Sequence, residues 1–335
     1  MSKTRNNLFL MFLSLLKYSI ILFCLIPSAK METISEINII VKCINCNDND
    51  HWAKIISDSF ILPSKFKVNG GDTDKFSKNY CLLDNNGQSS LTIIFNQEID
   101  SYANMFKGIT VLQEITFVNF KTKKPKSMDN MFYESNFQKI TFQDIDTSEV
   151  TNMSNLFANC QFLKQVDVSP FNTASVKDMR NLFSHCKNLE QIDLSNFNTA
   201  SVTDMSNLFY NCQNLKQVDV SNFNTASVTD MNSLFYNCQN LKQVDLTSFN
   251  PASVTNMSHL FYNCQNLEQI DFSNFNTASV TNMSYLFYNC QNLKQIDLSS
   301  FNTASVTDMD HLFEFCIKIE ELDLSNFNTA SKLYF

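Results

Sequence analysis

The chain has 335 residues, with 33 Asp and Glu against 25 Lys and Arg and a net charge of −8. This acidic balance, without any basic cluster, argues against nucleic acid as a partner. Hydrophobic residues make up 44% of the chain and there are only four Gly and five Pro. The composition therefore indicates a packed protein rather than a disordered or low-complexity tract.

Residues 1–29 predict an export segment. Lys3 and Arg5 precede an apolar run over residues 8–26, and a short Pro-Ser-Ala sequence ends at Ala29. This pattern is typical of a signal peptide cleaved near Ala29. The run is longer than a usual signal-peptide core, so an uncleaved anchor is the alternative. We expect a secreted or cell-surface protein, or one anchored through residues 8–26, and we expect membrane contact only through this segment.

Residues 30–100 do not follow the repeat described below and predict an N-terminal capping region. Residues 37–42 and 91–95 are typical of strands, and residues 51–60 are typical of a short amphipathic helix. The end of a repeat array exposes its core, so a cap is expected there.

Residues 101–335 form a repeat array of about nine units. The sequence Leu-Glu-Gln-Ile-Asp-Leu-Ser-Asn-Phe-Asn-Thr-Ala-Ser-Val-Thr-Asp-Met-Ser-Asn-Leu-Phe-Tyr-Asn-Cys, which ends at Cys212, recurs nearly unchanged every 26 residues. Its recurring Cys are Cys160, Cys186, Cys212, Cys238, Cys264, Cys290 and Cys316. A fixed period of this length predicts a solenoid in which each coil stacks on its neighbours.

Each unit predicts one strand and one short helix. Leu215, Val218 and Val220 show the alternation of a half-buried strand, whereas residues 231–238 place apolar side chains three, four and seven apart, which is helical spacing. Strands stack about 4.8 Å apart and helices pack roughly 8–10 Å apart, so such an array must curve. The predicted fold is an α/β repeat solenoid, a horseshoe with a parallel concave sheet and short convex helices.

The repeat resembles that of the BspA-like leucine-rich-repeat surface proteins, in particular the roughly 25- to 26-residue subtype of mycoplasmas and protists. The resemblance covers residues 101–335, and it implies the leucine-rich-repeat horseshoe and a role in protein binding or adhesion at the cell surface. Many leucine-rich repeats carry a buried Asn where this chain has Phe, for example Phe223. Here Asn follows one position later, at Asn224, so a buried Asn ladder is not assumed.

Outward-facing strand positions form rows of Asp and Gln. Adjacent carboxylates about 5 Å apart repel by roughly 0.8 kcal/mol even in water, which a basic partner or a cation would relieve. The alternative is that the Ser and Gln rows and solvent hydrate the carboxylates. A straight ladder does not converge oxygens on one point, so no metal site or cofactor is expected. The candidate binding surface is Asp167, Asp193, Asp219, Asp245, Asp271, Asp297 and Asp323 with Gln191, Gln217 and Gln243.

The repeat Cys are predicted to be buried free thiols, because adjacent helices roughly 8–10 Å apart exceed the ~7 Å reach of a disulfide. In the cap, Cys43 or Cys46 is a candidate partner for Cys81. The spacing of Cys43 and Cys46 is also compatible with redox or zinc chemistry, although no second pair stands at metal spacing.

A row of four Tyr occupies consecutive predicted helices. These residues are Tyr210, Tyr236, Tyr262 and Tyr288. We expect the rings to fill gaps between splayed helices, with an interface as the alternative.

No catalytic constellation is evident, since the His residues are scattered and no phosphate loop or nucleophile motif occurs, so we expect no enzyme. Asn152, Asn256 and Asn282 are glycosylation acceptors by sequence if the host is eukaryotic, although the same tripeptide is a simple variant of the repeat. The expected function is a non-catalytic surface or secreted protein that mediates protein binding or adhesion, with a protein or another surface macromolecule as partner. The alternative is a passive structural spacer or decoy coat protein.

Overall fold

The structure is a computed structural model that describes residues 35–43, 52–54, 56–58, 60, 63, 65–68, 71–73, 76–77, 80–82, 88–95, 98–122 and 124–328. The predicted export segment, Cys46 and residues 329–335 lie outside this part of the chain. The boundaries predicted for the cap and the array stay predictions.

The described residues form strands and turns. Strands β1–β7 lie before the array, and β8–β14 belong to its coils. Their bounds are β1 Ser35–Cys43, β2 Trp52–Lys54, β3 Lys65–Val68, β4 Gly71–Thr73, β5 Phe76–Ser77, β6 Tyr80–Leu82, β7 Gln88–Phe95, β8 Leu112–Lys121, β9 Lys139–Phe142, β10 Gln165–Asp167, β11 Gln191–Asp193, β12 Gln217–Asp219, β13 Gln269–Ile270 and β14 Gln295–Ile296.

The N-terminal strands continue directly into the array through one seven-stranded sheet, in the order β10-β9-β8-β1-β7-β3-β4. Strand β1 pairs antiparallel with both β7 and β8, and β8 pairs parallel with β9. Ile37 and Ile39 of β1 are fully buried beside Leu91 of β7, as their alternation predicts. The helix expected over residues 51–60 is wrong where the chain is described, because Trp52–Lys54 is a strand paired with β6.

Each coil of the array stacks in parallel on the next and buries the same set of side chains. Seven isolated bridges, from Ser127–Asn152 to Asn282–Asp308, connect successive coils. The Phe of each coil stacks on its equivalent: the ring of Phe235 lies 5.4 Å from that of Phe209 and 5.3 Å from that of Phe261, nearly parallel to both. Since a lone coil encloses too little core, this stacking supplies the burial that stabilises the fold.

The predicted convex helices are absent from the described residues, and the fold is a β-solenoid of about seven turns instead of an α/β horseshoe. The ten residues from each Met, such as residues 231–240, form what we call the turn segment of a coil. The N–H groups of Met231, Ser233, Phe235 and Asn237 donate to carbonyls of the following coil at 2.7–3.1 Å. The N–H groups of Leu234, Tyr236 and Cys238 bond three residues back, as in β-turns, so the ladder of an α-helix does not form.

The backbone of each turn segment passes through the left-handed region twice, at the second and sixth residues after the Met. An α-helix does not tolerate these conformations, and Asn is among the few residue types that adopt them readily. The affected residues are Asn104 and Gly108, Asn130 and Glu134, Asn155 and Asn159, Asn181 and His185, Asn207 and Asn211, Ser233 and Asn237, His259 and Asn263, Tyr285 and Asn289, and His311 and Phe315.

The predicted curvature depends on a spacing of roughly 8–10 Å per coil on the side opposite the strands, which the turn segments do not have. Successive Phe rings of the turn segments are 5.2–5.9 Å apart and successive Tyr rings 4.4–4.6 Å apart, close to the spacing of strands. Both sides of a coil therefore stack at a similar distance.

A buried Thr ladder lies two residues after the Phe that replaces the Asn of leucine-rich repeats. The hydroxyl of Thr199 donates to the carbonyl of Asn224 at 2.9 Å and accepts from its N–H at 2.7 Å. Thr199 is fully buried. One hydroxyl thus satisfies both backbone groups of an Asn in the next coil. Pro251 occupies the equivalent position of one coil and has no hydroxyl, so it interrupts the ladder.

The repeat Cys are free thiols, buried except for the half-buried Cys316, as predicted. The spacing argument behind that prediction is wrong, because the coils lie closer than helices would. Each thiol instead donates to a carbonyl of the preceding coil, as Cys212 does to Phe183 at 3.0 Å. Burial raises the pKa of Cys212 to about 12, so the thiol stays protonated at neutral pH.

Candidate binding surface

The strand side of the array carries a long open groove. Its larger part, about 1200 Å³, runs over five coils from Gln217 to Asp323, and a smaller part of about 450 Å³ runs from Lys164 to Asp219. Gln217 and Asp219 line both parts, so we treat them as one strand-face groove. Each short strand contributes a Gln and an Asp that point outward and a Val or Ile between them that points inward.

The groove has an apolar floor and acidic walls. Val218, Val244 and Ile270 lie at its floor and are nearly buried. The residues that line the larger part include seven carboxylates and neither Lys nor Arg. These carboxylates are Asp219, Asp245, Asp271, Asp297, Asp323, Glu320 and Glu321.

The predicted Asp row is brought together in the groove, and each Asp also closes a turn. The carboxylate of Asp219 accepts the N–H of Ser221 at 3.0 Å and its hydroxyl at 2.7 Å, and Asp245 accepts the equivalent groups of Thr247. This Asp-x-Ser/Thr turn, which ends each strand, was missed from sequence although its spacing is a known signal. The Asp row therefore has a structural role besides any role in binding.

Bonds of this kind lower the pKa of three carboxylates of the row. The hydroxyl and N–H of Ser195 lower the pKa of Asp193 below its ordinary value of 3.8, and Thr247 does the same for Asp245. The pKa of Asp323 is lowered chiefly by the N–H of Ser325 and also by its hydroxyl. These three carboxylates thus stay ionised well below neutral pH.

The rim of the groove carries a row of Lys and Glu side chains, some of which form ion pairs between coils. Lys216 and Glu190, in adjacent coils, form an ion pair at 2.7 Å, and Lys294 and Glu268 one at 3.8 Å. Both pairs are well exposed and contribute little to stability. Glu320 and Glu321 lie at the end of the groove, at the positions that Lys294 and Gln295 occupy in the preceding coil. Their contribution to the groove was not predicted from sequence, although both residues depart from the repeat.

Two further groups of predicted residues lie away from the groove. Cys43 falls in β1 and Cys81 in β6, in different sheets, so a disulfide with Cys81 stays a prediction. Asn152, Asn256 and Asn282 are half-buried in the bridges between coils, and their side-chain oxygens accept the N–H of the Ser two residues on. Glycosylation at these Asn also stays a prediction.

The described residues hold no three His, Cys, Asp or Glu side chains arranged to bind one metal ion. Nor do they form any helix long and apolar enough to cross a membrane, and residues 8–26 are not among them. The arrangement is that of an open, polar contact surface.

Together, the stacked coils and the open groove define a β-solenoid repeat protein, a class compatible with a binding role. The chain belongs to the family described as "Mycoplasma protein of unknown function, DUF285", whose model matches residues 100–192, 177–295 and 264–334. Three overlapping matches confirm that the array is the family's repeat. Assignment to the BspA-like subtype stays a prediction.

A leucine-rich repeat protein from Eubacterium ventriosum, solved by crystallography at 2.50 Å, is similar over 65% of this chain and 68% of its own, with 18% identity and a TM-score of 0.34. This likeness is too loose to carry an argument about function. No curated protein matches the chain.

Proposed function

We propose that this chain is a non-catalytic surface or secreted protein that holds a basic, extended segment of another protein in the strand-face groove. The observation that carries the proposal is the groove itself: an apolar floor between walls that bear carboxylates at every coil. Adhesion to another cell or to a host surface would follow from such binding.

The dimensions of the groove suit an extended chain. Five coils at about 4.8 Å each give a length of roughly 24 Å, which a chain of about seven extended residues spans. Lys or Arg side chains of the partner would pair with the Asp row. Because the carboxylates are exposed, the attraction is screened by salt and decides specificity and association rate more than affinity.

Asp-to-Asn substitutions test the proposal without removing the turns, since an Asn side chain also accepts the N–H that closes each turn. We would compare Asp219, Asp245, Asp271 and Asp297, all changed to Asn, with a control in which Asp178, Asp204, Asp230 and Asp308 are changed. Both variants lose four charges, and the control positions carry Asn naturally at Asn152, Asn256 and Asn282.

The probe is a fluorescent seven-residue peptide rich in Lys, titrated with the full chain at several salt concentrations. We expect saturable binding by the parent chain, a loss of at least tenfold in the groove variant, and little change in the control. Equal losses in the two variants, or binding indifferent to salt, would count against the groove. Since the pKa values of Asp193 and Asp245 are lowered, binding should persist as pH falls and be lost only below the ordinary carboxyl pKa of 3.8.

The second candidate is a passive spacer or decoy coat protein. The monotony of the outward Gln, Asp and Ser rows favours it, because binding arrays usually diversify these positions. The spacer would be favoured if the chain is exposed on cells but binds neither the peptide nor any cell-surface protein saturably. Antibody labelling of intact cells tests export, and an exclusively internal location would contradict the proposed secretion or surface display.

A further inference from the structure

The turn segments of four consecutive coils form a surface without charge. Residues 205–214, 231–240, 257–266 and 283–292 contain no Asp, Glu, Lys or Arg, in a chain with 58 such residues. We call the side chains that these segments present to solvent the uncharged strip. The half-buried Tyr236 and Tyr262 lie at its centre, with parallel rings 4.6 Å apart. Asn211 and Asn237 form a hydrogen-bonded ladder alongside them.

The two ends of the uncharged strip carry opposite charge. The preceding turn segment, residues 179–188, contains the cations Arg180 and Lys187. The following segment, residues 309–318, contains the carboxylates of Asp310 and Glu314 and one cation, Lys318. Arg180 is paired with Asp178 of its own chain at 2.9 Å, so Lys187 supplies the unpaired positive charge of that segment. The strip is therefore neutral in the middle, basic at one end and on balance acidic at the other.

The two ends also differ in shape. At the acidic end Phe315 and Ile317 replace the Asn and Gln of other coils, and their side chains are 51% and 74% exposed. At the basic end Ser184 replaces the Tyr of the strip and is buried, and the half-buried ring of His185 lies beside that of Tyr210. The acidic end therefore protrudes and the basic end does not.

From this arrangement we propose that a second copy of the same chain docks on the uncharged strip, related by a twofold axis through its centre between Tyr236 and Tyr262. The twofold axis reverses the direction of the partner's array and sets the basic end of each copy against the acidic end of the other. Phe315 of each copy then faces His185 of its partner, which occupies the same position of its coil. A second copy also repeats at the same spacing, so every coil of the strip meets an equivalent coil.

Charge determines which face can pair. Two copies that each carry a net charge of −8 repel through the acidic strand-face groove and approach most easily through a neutral surface. The four coils of the strip span roughly 20 Å, whereas a standard interface of about 800 Å² per partner is about 30 Å across. The dimer is therefore weak and depends on concentration, and it leaves both grooves open to solvent.

A charge exchange tests the geometry. One variant carries Arg180→Glu and Lys187→Glu, and the other Asp310→Lys and Glu314→Lys. Each variant alone presents like charges at both ends and should be monomeric where the parent chain is dimeric. Mixed in equal amounts, they should recover the dimer, because opposite charges again meet at both ends. A control with Lys216→Glu and Lys242→Glu makes the same change of charge on the rim of the groove and should dimerise like the parent.

Sedimentation velocity of the full chain in a non-ionic detergent measures the assembly, and comparison between variants cancels any contribution of residues 8–26. Phe315→Asn replaces an exposed ring with the residue that the array uses at the same repeat position, Asn289, and should weaken the dimer at least tenfold with the thermal unfolding midpoint little changed. A monomeric parent chain at millimolar concentration would overturn the proposal. Dimers insensitive to the exchange, or variants that fail to recover on mixing, would do the same.

Discussion

The strand face and the turn segment of one coil are built from the same chain but are bonded to their neighbours very differently. On the strand face, β11 pairs with β12 and β13 with β14, whereas no strand pairing joins the adjacent β10 and β11, and the coil between β12 and β13 has no strand at residues 243–245. In the turn segments, four backbone N–H groups bond to the next coil, as between residues 205–211 and 230–236. The buried Phe and Thr ladders lie outside the short strands as well.

The difference indicates that the two sides of a coil have separate roles. Turn segments and buried ladders hold the coils in register, and they tolerate little chemical change. The strand face is left to present Gln and Asp side chains along the groove, with bonds within each coil holding the Asp in place. Stability should therefore respond strongly to substitutions in the ladders and weakly to those on the outward strand positions, a contrast that the following predictions test.

The largest effect is expected from Phe235→Ala, which removes a fully buried ring from the middle of the Phe ladder. The transfer and cavity terms together should cost about 3–5 kcal/mol. The shift of the urea midpoint measures the loss, since a long array need not unfold in one step. Gln243→Ala on the strand face is the matched control and should change the midpoint by under about 0.5 kcal/mol equivalents. A neutral Phe235→Ala would place that ring outside the core.

Thr199→Val should have the next largest effect. It keeps the shape of the side chain but leaves the N–H and C=O of Asn224 without their partner, at a cost of about 1–3 kcal/mol. Thr203→Val is the control, because that exposed hydroxyl only donates to the carbonyl of Lys177. Thermal unfolding of the two variants should differ clearly, and equal midpoints would mean that the Thr ladder does not stabilise the array.

Much of this organisation follows from sequence, and the part that does not has a local cause. The 26-residue period, the inward Leu, Val and Phe, the free Cys and the alignment of the Asp row all follow from repetition and alternation. The helices do not, because apolar residues three, four and seven apart also suit successive β-turns that face the core. The distinguishing signal was Asn207 and Asn211, spaced four apart at left-handed positions, but Ser233 and Tyr285 at equivalent positions obscure it.

The candidate site was predicted in part for the same reason. The Asp and Gln rows follow from strand alternation, so their shared face was predictable. The groove was not predictable, because its depth depends on how the coils stack. The curvature expected from helices requires a spacing that the turn segments do not have. Glu320 and Glu321 break the repeat, and a regular pattern does not predict the role of its exceptions.

Pro251→Thr should repair the interrupted Thr ladder. In the described chain the N–H of Asn276 has no partner, whereas the equivalent N–H of Asn250 donates to Thr225 at 2.8 Å. The new hydroxyl should contribute about 1 kcal/mol, offset by about 0.4–1 kcal/mol because Pro restricts the unfolded chain. Hydrogen exchange is thus a sharper measurement than the midpoint: the amide of Asn276 should become protected, and unchanged exchange would contradict the ladder.

The smallest effect is expected from Ser233→Asn, which tests the left-handed positions. Ser233 has φ of 54°, as Asn207 has 56° at the equivalent position of the preceding coil. Because Asn adopts this region at less cost than Ser, the substitution should stabilise the array by up to about 1 kcal/mol. Ser221→Asn on the exposed strand side, where φ is not positive, should bring no such gain. A stabilisation confined to Ser233 would show that the left-handed positions limit the stability of the turn segment. Equal effects at both sites would mean that the left-handed backbone conformation does not determine the change in stability.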